Sequence, residues 1–198
     1  MSEQEELIIP KRSKKQKLFT VAALLGCVLF ILLLRVGLDL NPSQIPSALL
    51  NKPALDFKAS WIQGQEVMNN SSKPTFELKD FKGQGLILNF WASWCYSCRQ
   101  EAKDFERFWL ANKHTGIKVV GIAIQDSPED ARRFAAQYGK TYILGLDDDG
   151  AAAINYGVTG VPETFVINAE GMIIHKEAGP VTEAKLQEFA AMLQNNKS

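Results

Sequence analysis

Residues 86–98 read LILNFWASWCYSC, and this stretch decides the fold. Its first six residues form a short apolar run, which predicts a buried strand that ends at a turn. Phe105, Phe108 and Trp109 then recur at helical spacing and predict a helix over residues 95–111. Because the buried strand leads directly into this helix, both cysteines of the stretch are expected at the start of the helix.

The segments that follow alternate between strands and helices. Strands are predicted at residues 118–124, 142–146, 164–168 and 172–177, and helices at residues 128–138, at 151–154 and from residue 182 onward. Upstream, the polar residues 63–73 predict a surface loop. This order of elements predicts an α/β fold in which a central mixed sheet is flanked by helices.

The overall composition excludes several classes of protein. Of the 198 residues, 46% are hydrophobic and 22% are charged. These fractions are typical of a globular protein, so a disordered or collagen-like chain is excluded. Lys and Arg together number 22, as do Asp and Glu. A chain without net charge lacks the basic surface that nucleic acid binding needs, and we expect no nucleic acid partner.

One segment near the N-terminus is predicted to cross a membrane. Residues 18–34 contain no charged side chain, and at about 1.5 Å per helical residue they nearly span a bilayer core. Five Lys and Arg residues precede the run, so the positive-inside rule places the N-terminus in the cytoplasm. The predicted organisation is a cytoplasmic tail at 1–17, a transmembrane anchor at 18–36, a linker at 37–55 and an extracytoplasmic domain at 56–198.

Two cleaved targeting signals are alternatives to this anchor. A secretory signal peptide has an apolar region of about 7–15 residues and a small-residue cleavage site, whereas this run is longer and has no clear site of that kind. Residues 24–27 (LLGC) loosely match a lipoprotein signal, but the apolar run continues beyond Cys27. We therefore predict an uncleaved anchor, in which Cys27 faces the membrane.

Cys95 and Cys98 are the predicted centre of the chemistry. Two intervening residues allow one helical turn to bring the two sulfurs together, and the unpaired N–H groups of a helix N-terminus stabilise a thiolate. Cys95 lies nearer that terminus and Cys98 one turn further in. The prediction is a redox-active pair in which Cys95 attacks and Cys98 resolves the mixed disulfide.

Three other uses of the two cysteines have to be weighed. A structural disulfide is possible outside the cytoplasm, although so short a loop gives little stabilisation. A zinc site needs two further ligands, and the two histidines, His114 and His175, lie near no second cysteine pair. Two unreactive core thiols are the third use, and a position at the start of a helix disfavours it. We therefore expect sulfur chemistry, without a metal or a cofactor.

Three segments resemble known proteins. Residues 89–98 (NFWASWCYSC) are similar to the active-site segment of the thioredoxin superfamily. Residues 157–165 (GVTGVPETF) and 46–54 (PSALLNKPA) resemble the membrane-anchored thiol:disulfide interchange proteins of cytochrome c maturation, the CcmG/DsbE type, to which ResA and TlpA are related. The resemblance extends from residue 46 to about residue 192 and implies a thioredoxin fold.

The resemblance also implies roles for residues around the cysteines. It implies a cis Val161–Pro162 bond beside the pair and a groove in which Trp94, Tyr96, Val161 and Pro162 contact an extended substrate. The acids that family members carry near the site match Glu101 and Glu163 here, and a carboxylate beside a buried thiol can accept its proton. Asn89 stands where thioredoxins carry a buried Asp, and an amide cannot take that proton.

The function implied by the resemblance is reduction of protein disulfides in the periplasm. The expected substrate is apocytochrome c, reduced at its Cys-x-x-Cys-His haem site, and the expected electron donor is a membrane thiol reductase. The alternatives are a broader disulfide reductase of the TlpA or ResA type, a module that holds apocytochrome without redox chemistry, and a thiol peroxidase. The usual peroxidatic pattern is not evident in the sequence.

Overall fold

The strand predicted from residues 86–91 lies inside a seven-stranded mixed sheet. The protein is represented by a computed structural model, which describes residues 14–39, 48–68 and 73–195. The strands are β1 (Lys58–Gln63), β2 (Thr75–Glu77), β3 (Leu86–Trp91), β4 (Lys118–Ala123), β5 (Ile143–Leu146), β6 (Glu163–Ile167) and β7 (Ile173–Ala178). Their spatial order is β2-β1-β5-β4-β3-β6-β7.

Five α-helices lie within the described residues. They are α1 (Lys14–Asp39), α2 (Tyr96–Asn112), α3 (Pro128–Tyr138), α4 (Ala151–Asn155) and α5 (Glu183–Asn195). The buried residues of α2, α3 and α5 pack on one face of the sheet, and α4 packs on the other. The prediction of an α/β fold with a central mixed sheet flanked by helices is confirmed.

All six residues of β3 are buried. The strand pairs in parallel with β4 and antiparallel with β6, so that Asn89 lies between Gly121 and Thr164. Side chains alternate along a strand, so Asn89 and Trp91 face the α2 side of the sheet and Phe90 faces the α4 side. A strand that is covered on both faces needs the nearly continuous apolar sequence found here.

Helix α3 matches the predicted residues 128–138, and capping residues set both of its ends. Ser127 is the N-cap and its hydroxyl oxygen accepts a hydrogen bond from the N–H of Asp130 (3.1 Å). Pro128 occupies the first turn, where its missing N–H has no cost. Gly139 ends the helix in the left-handed conformation (φ 65°), which a residue without Cβ adopts readily.

The sequence reasoning missed the two strands at the other end of the sheet. Only Ala59 and Trp61 of β1 and Phe76 of β2 are buried, so the apolar pattern of both segments is too weak to identify a strand. Residues 63–73, predicted as a surface loop, begin with the last residue of β1 and include a 3-10 helix at Gln65–Met68. Residues 69–72 lie outside the described residues.

Part of the predicted linker contacts the β6–β7 hairpin. The N–H of Asn51 donates to the carbonyl of Ile173 (2.8 Å), and the N–H of Ala54 donates to that of Gly171 (2.8 Å). Pro53 forms an isolated bridge with Met172. Residues 51–54 therefore extend the hydrogen bonding of the sheet on its β7 side.

The chain divides into two units, Met1–Gln44 and Ile45–Ser198. In the first, the segment Lys14–Arg35 of α1 has 22 residues, a mean hydropathy of 2.6 and no buried residue. The helix is long and apolar enough to cross a membrane. It contains the predicted anchor, residues 18–36.

Gly145 lies in β5 and allows a test of how the side chains of β1 and β2 pack against that strand. A Cβ at this position would lie 2.6 Å from two ring carbons of Phe76 and 2.7 Å from Cβ of Ala59. We predict that Gly145→Ala destabilises the protein by about 1–3 kcal/mol, because the overpacked side chains must move. Urea unfolding followed by tryptophan fluorescence measures the loss.

The matched control for this prediction is Gly160→Ala. A Cβ at Gly160 meets no heavy atom within 4 Å, so its urea midpoint should stay close to that of the wild type. Equal midpoints for both variants would contradict the described packing of β1 and β2.

Candidate active site

The two cysteines form a disulfide at the start of α2. Cys95 is the N-cap residue and Cys98 lies in the first turn. The N–H of Cys98 lies 3.1 Å from Sγ of Cys95 and points toward it. Cys95 is 5% exposed and Cys98 is 1% exposed. Cys95 is therefore the more accessible residue of the pair, and its sulfur receives the N–H dipole of the helix terminus.

The loop before Cys95 is tied to the segment that follows β4. The Asp126 carboxylate accepts hydrogen bonds from the N–H of Ser93 (2.6 Å) and from its hydroxyl (2.8 Å). The indole N–H of Trp94 donates to the carbonyl of Gln125 (2.9 Å), a residue held in the left-handed region (φ 48°). These bonds fix the backbone that leads into the disulfide.

The segment before β6 forms the other wall of the site. The Val161–Pro162 peptide bond is cis, as the resemblance implies. The carbonyl oxygen of Val161 lies 3.4 Å from Sγ of Cys95, and the carbonyl of Pro162 accepts a hydrogen bond from the N–H of Gly179 (2.8 Å). Val161 and Pro162 therefore lie next to Cys95, although they are more than sixty residues away in sequence.

Two exposed aromatic side chains flank Cys95 in the sequence. Trp94 is 56% exposed and Tyr96 is 73% exposed. A cleft of about 740 Å³ adjoins Trp94 and is lined by Ser93, Gln125, Asp126 and residues of the turn after β5. Large apolar side chains that remain in water beside a reactive group offer contact area to a partner.

Glu101 is buried behind the disulfide, one turn beyond Cys98. Its Oε1 accepts a hydrogen bond from the Asn89 amide (3.0 Å), and its Oε2 accepts one from the N–H of Val181 (3.0 Å). Burial raises the pKa of this carboxyl to about 7, although the two hydrogen bonds and the charge of Lys140 oppose the shift. The group can therefore exchange a proton near neutral pH.

Glu163 occupies a different environment. Its Oε1 accepts hydrogen bonds from the N–H (3.1 Å) and the hydroxyl (3.0 Å) of Thr159, and its Oε2 lies 2.7 Å from Nζ of Lys176. Glu163 of β6 lies opposite Phe90 of the neighbouring strand β3, so its side chain faces the α4 side of the sheet, as that of Phe90 does. Asn89 and Glu101 lie on the opposite, α2 side.

Sequence reasoning missed Asp126 and Lys140. Asp126 could have been found, because it lies just beyond the end of β4 and Ser93 lies just beyond the end of β3. The carboxyl ends of neighbouring parallel strands meet at one edge of a sheet. No local pattern marks Lys140 as buried. Within residues 14–39, 48–68 and 73–195, no three His, Cys, Asp or Glu side chains are grouped as metal ligands.

Comparisons with known proteins agree with this geometry. Residues 50–176 match the model of the AhpC/TSA family. The chain is 37% identical over 170 residues to the thiol:disulfide interchange protein DsbE of Allochromatium vinosum, covering 83% of this chain and 88% of that protein. It is 34% identical over 144 residues to HelX of Rhodobacter capsulatus, covering 72% and 76%.

A solved structure supports the same assignment of the fold. A thioredoxin family thiol:disulfide interchange protein from Chlorobium tepidum superposes with a TM-score of 0.61 at 24% identity, covering 71% of this chain and 94% of that chain. The implied thioredoxin fold is confirmed by this likeness. The chain belongs to the AhpC/TSA family and, within it, to the thiol:disulfide interchange proteins, enzymes that exchange dithiols and disulfides.

Proposed function

We propose that this protein is a membrane-anchored reductase of protein disulfides that works in the periplasm. The observation that carries the proposal is the Cys95–Cys98 disulfide at the start of α2, with the Val161 carbonyl 3.4 Å from Sγ of Cys95. The apolar helix α1 supports an inner-membrane anchor. The Lys and Arg residues that precede its apolar run support a cytoplasmic N-terminus and a periplasmic domain.

The proposed reaction is a two-step exchange of disulfide bonds. The Cys95 thiolate of the reduced enzyme attacks one sulfur of the substrate disulfide, and the other substrate sulfur leaves as a thiolate. The Cys98 thiolate then attacks Sγ of Cys95, which breaks the mixed disulfide and forms the Cys95–Cys98 bond. Two electrons pass to the substrate, which is released as a dithiol.

Substrate contact is assigned to the residues around Cys95. Trp94 and Tyr96 supply exposed aromatic surface, and Val161 and Pro162 supply backbone beside the sulfur. An extended peptide can add to such a backbone segment. We assign apocytochrome c as the substrate, reduced at its Cys-x-x-Cys-His site, and a membrane thiol reductase as the electron donor. The support is the resemblance of residues 46–54 and 157–165 to the cytochrome c maturation group.

Glu101 is the proposed proton acceptor for Cys98. Both groups lie on the α2 side of the sheet, and a carboxyl with a pKa near 7 can take up a thiol proton at neutral pH. Glu163 faces the α4 side and holds Thr159 and Lys176 instead. We therefore give Glu163 the task of fixing the segment before β6, and Glu101 the proton transfer.

Trapping the mixed disulfide tests the proposed function. Full-length Cys98→Ser cannot complete the second step, so we expect it to accumulate covalently bound apocytochrome c in membranes of cells that make cytochrome c. Mass spectrometry after non-reducing electrophoresis identifies the captured protein. The Cys95→Ser/Cys98→Ser variant should capture nothing.

The alternative functions predict different outcomes for the same two variants. Capture of many unrelated disulfide proteins would support a broad reductase and contradict the narrow substrate. If the double variant supported normal cytochrome c assembly, the redox proposal would be wrong and a holding role would be favoured.

The roles of the two cysteines predict different alkylation rates. In the reduced protein, iodoacetamide should modify Cys95 before Cys98, because Cys95 is more exposed and lies at the helix terminus. Peptide mapping by mass spectrometry at neutral pH gives both rates, and Cys98→Ser provides the rate of Cys95 alone. Equal rates would refute the assignment.

The proposed proton transfer predicts a pH-dependent second step. A carboxyl is ionised above its pKa, so the rate of the Cys98 step should rise through about pH 7. Glu101→Gln should remove this rise and slow the step by roughly tenfold or more at pH 8. Glu163→Gln, the matched control, should retain the rise. Stopped-flow single turnovers with a disulfide peptide measure both, and loss of the rise only in Glu163→Gln would contradict the assignment.

A further inference from the structure

Lys140 is a buried cation on the same side of the sheet as the disulfide. It lies between α3 and β5 and is 6% exposed. Its Nζ is 4.1 Å from the ring centroid of Trp91, 5.0 Å from that of Phe134 and 5.5 Å from that of Tyr142. A lysine so enclosed loses most of its hydration, so its charge acts strongly on neighbouring groups.

Helix α2 directs two buried carboxylates toward this region. Glu106 accepts hydrogen bonds from the N–H (2.7 Å) and the hydroxyl (2.6 Å) of Thr141, the residue after Lys140. Glu101 lies on the same helix, held by Asn89 and Val181. Both carboxyls lie close to Lys140 in the fold, because Glu106 is bonded to the next residue of the chain and Glu101 is bonded to Asn89, which shares a face of β3 with the Trp91 ring beneath the amine. The charges of the two glutamates raise the pKa of Lys140, but the stronger effect of burial lowers it to about 7.

The Glu101 carboxyl is surrounded by charged and polar groups from several elements of the fold. Asp104 of α2 opposes ionisation of the Glu101 carboxyl, whereas Lys140 favours it. The buried phenol of Tyr142, the residue before β5, has a pKa raised by burial and by both glutamates. From β3 the side chain facing Glu101 is the uncharged Asn89, and the segment before α5 contributes the N–H of Val181. Lys140 is therefore the positive charge of this cluster, and it favours ionisation of Glu101 together with the two hydrogen bonds.

We propose that Lys140 is a positioning residue for the exchange reaction, which favours the ionised form of the buried Glu101 carboxyl so that it can accept the proton of Cys98. The inference rests on the proposed function, because it assigns a control to the second exchange step. Lys140 need not touch sulfur or substrate. Its effect passes through the charge of Glu101, across the aromatic cluster that encloses its amine.

The step balances without any further reactant. Glu101 takes the proton from the Cys98 thiol, and the Cys98 thiolate attacks Sγ of Cys95. The Cys95–Cys98 bond forms while the bond between Cys95 and the substrate breaks, and the substrate thiolate leaves with the electron pair. Glu101 then returns its proton to solvent or to the departing thiolate, and Lys140 remains a bystander charge throughout.

Lys140→Met tests this inference. Methionine can fill the space between Trp91, Phe134 and Tyr142, and replacing a buried charge by an apolar side chain is often tolerated. Removing the cation should raise the titration midpoint of the Glu101 carboxyl by about one pH unit. At pH 7 the ionised fraction would then fall from about a half to about a tenth, and the Cys98 step should slow about fivefold.

Two measurements on the reduced full-length protein in detergent micelles check the result. Carbon-13 NMR of labelled glutamate follows the Glu101 carboxyl against pH, and stopped-flow turnover of a disulfide peptide gives the rate of the Cys98 step. Lys103→Met, an exposed lysine on α2, should change neither. Lys140→Gln provides a second variant if Lys140→Met fails to fold.

The Glu101→Gln background separates this role from a structural one. If Lys140 acts through Glu101, adding Lys140→Met to Glu101→Gln should not slow the step further. An unchanged Glu101 midpoint in Lys140→Met, or an equal slowing in both backgrounds, would overturn the inference. A wild-type enzyme that reduces no peptide disulfide would contradict the proposed function instead, while the NMR midpoint would still decide the role of Lys140.

Discussion

The complete burial of β3 is the constraint on which the site depends. The strand has hydrogen-bonded neighbours on both edges and packed layers on both faces, so it cannot shift by one residue without exchanging its two sets of side chains. That register directs Asn89 to Glu101 and Thr164. It also fixes where the chain leaves the sheet, and thus where Cys95 can cap α2.

Burial of Glu101 has opposite consequences for stability and for chemistry. Its pKa is raised from 4.5 to about 7, so the stability that the neutral carboxyl provides at low pH is lost as the pH rises through about 7. The pKa of Lys140 is lowered from 10.5 to about 7, so the stability that its neutral amine provides at high pH is lost as the pH falls through about 7. The protein therefore retains ionisable groups where apolar ones would be less costly, which agrees with the proton transfer proposed for Glu101.

The sequence predicts the centre of the fold better than its margin. Residues 86–98 and the caps of α3 carry strong local signals, because a continuous apolar run and an N-cap serine each have few alternative structures. Strands β1 and β2 bury too few side chains to show a pattern. The role of the cysteine pair can be predicted from spacing and context. The contact of Cys95 with Val161 joins residues that are 66 positions apart, and only the family resemblance predicts that they lie together.

The two glutamates show what local sequence cannot decide. Both stand close in sequence to residues of the site, Glu101 three positions after Cys98 and Glu163 directly after Pro162. Strand alternation sends Glu163 to the far face of the sheet, where Lys176 neutralises it. Helical periodicity turns Glu101 inward, where the charge of Lys140, from the segment between α3 and β5, favours its ionisation. A motif therefore identifies the sulfurs, but the charges around the proposed proton acceptor are set by long-range packing.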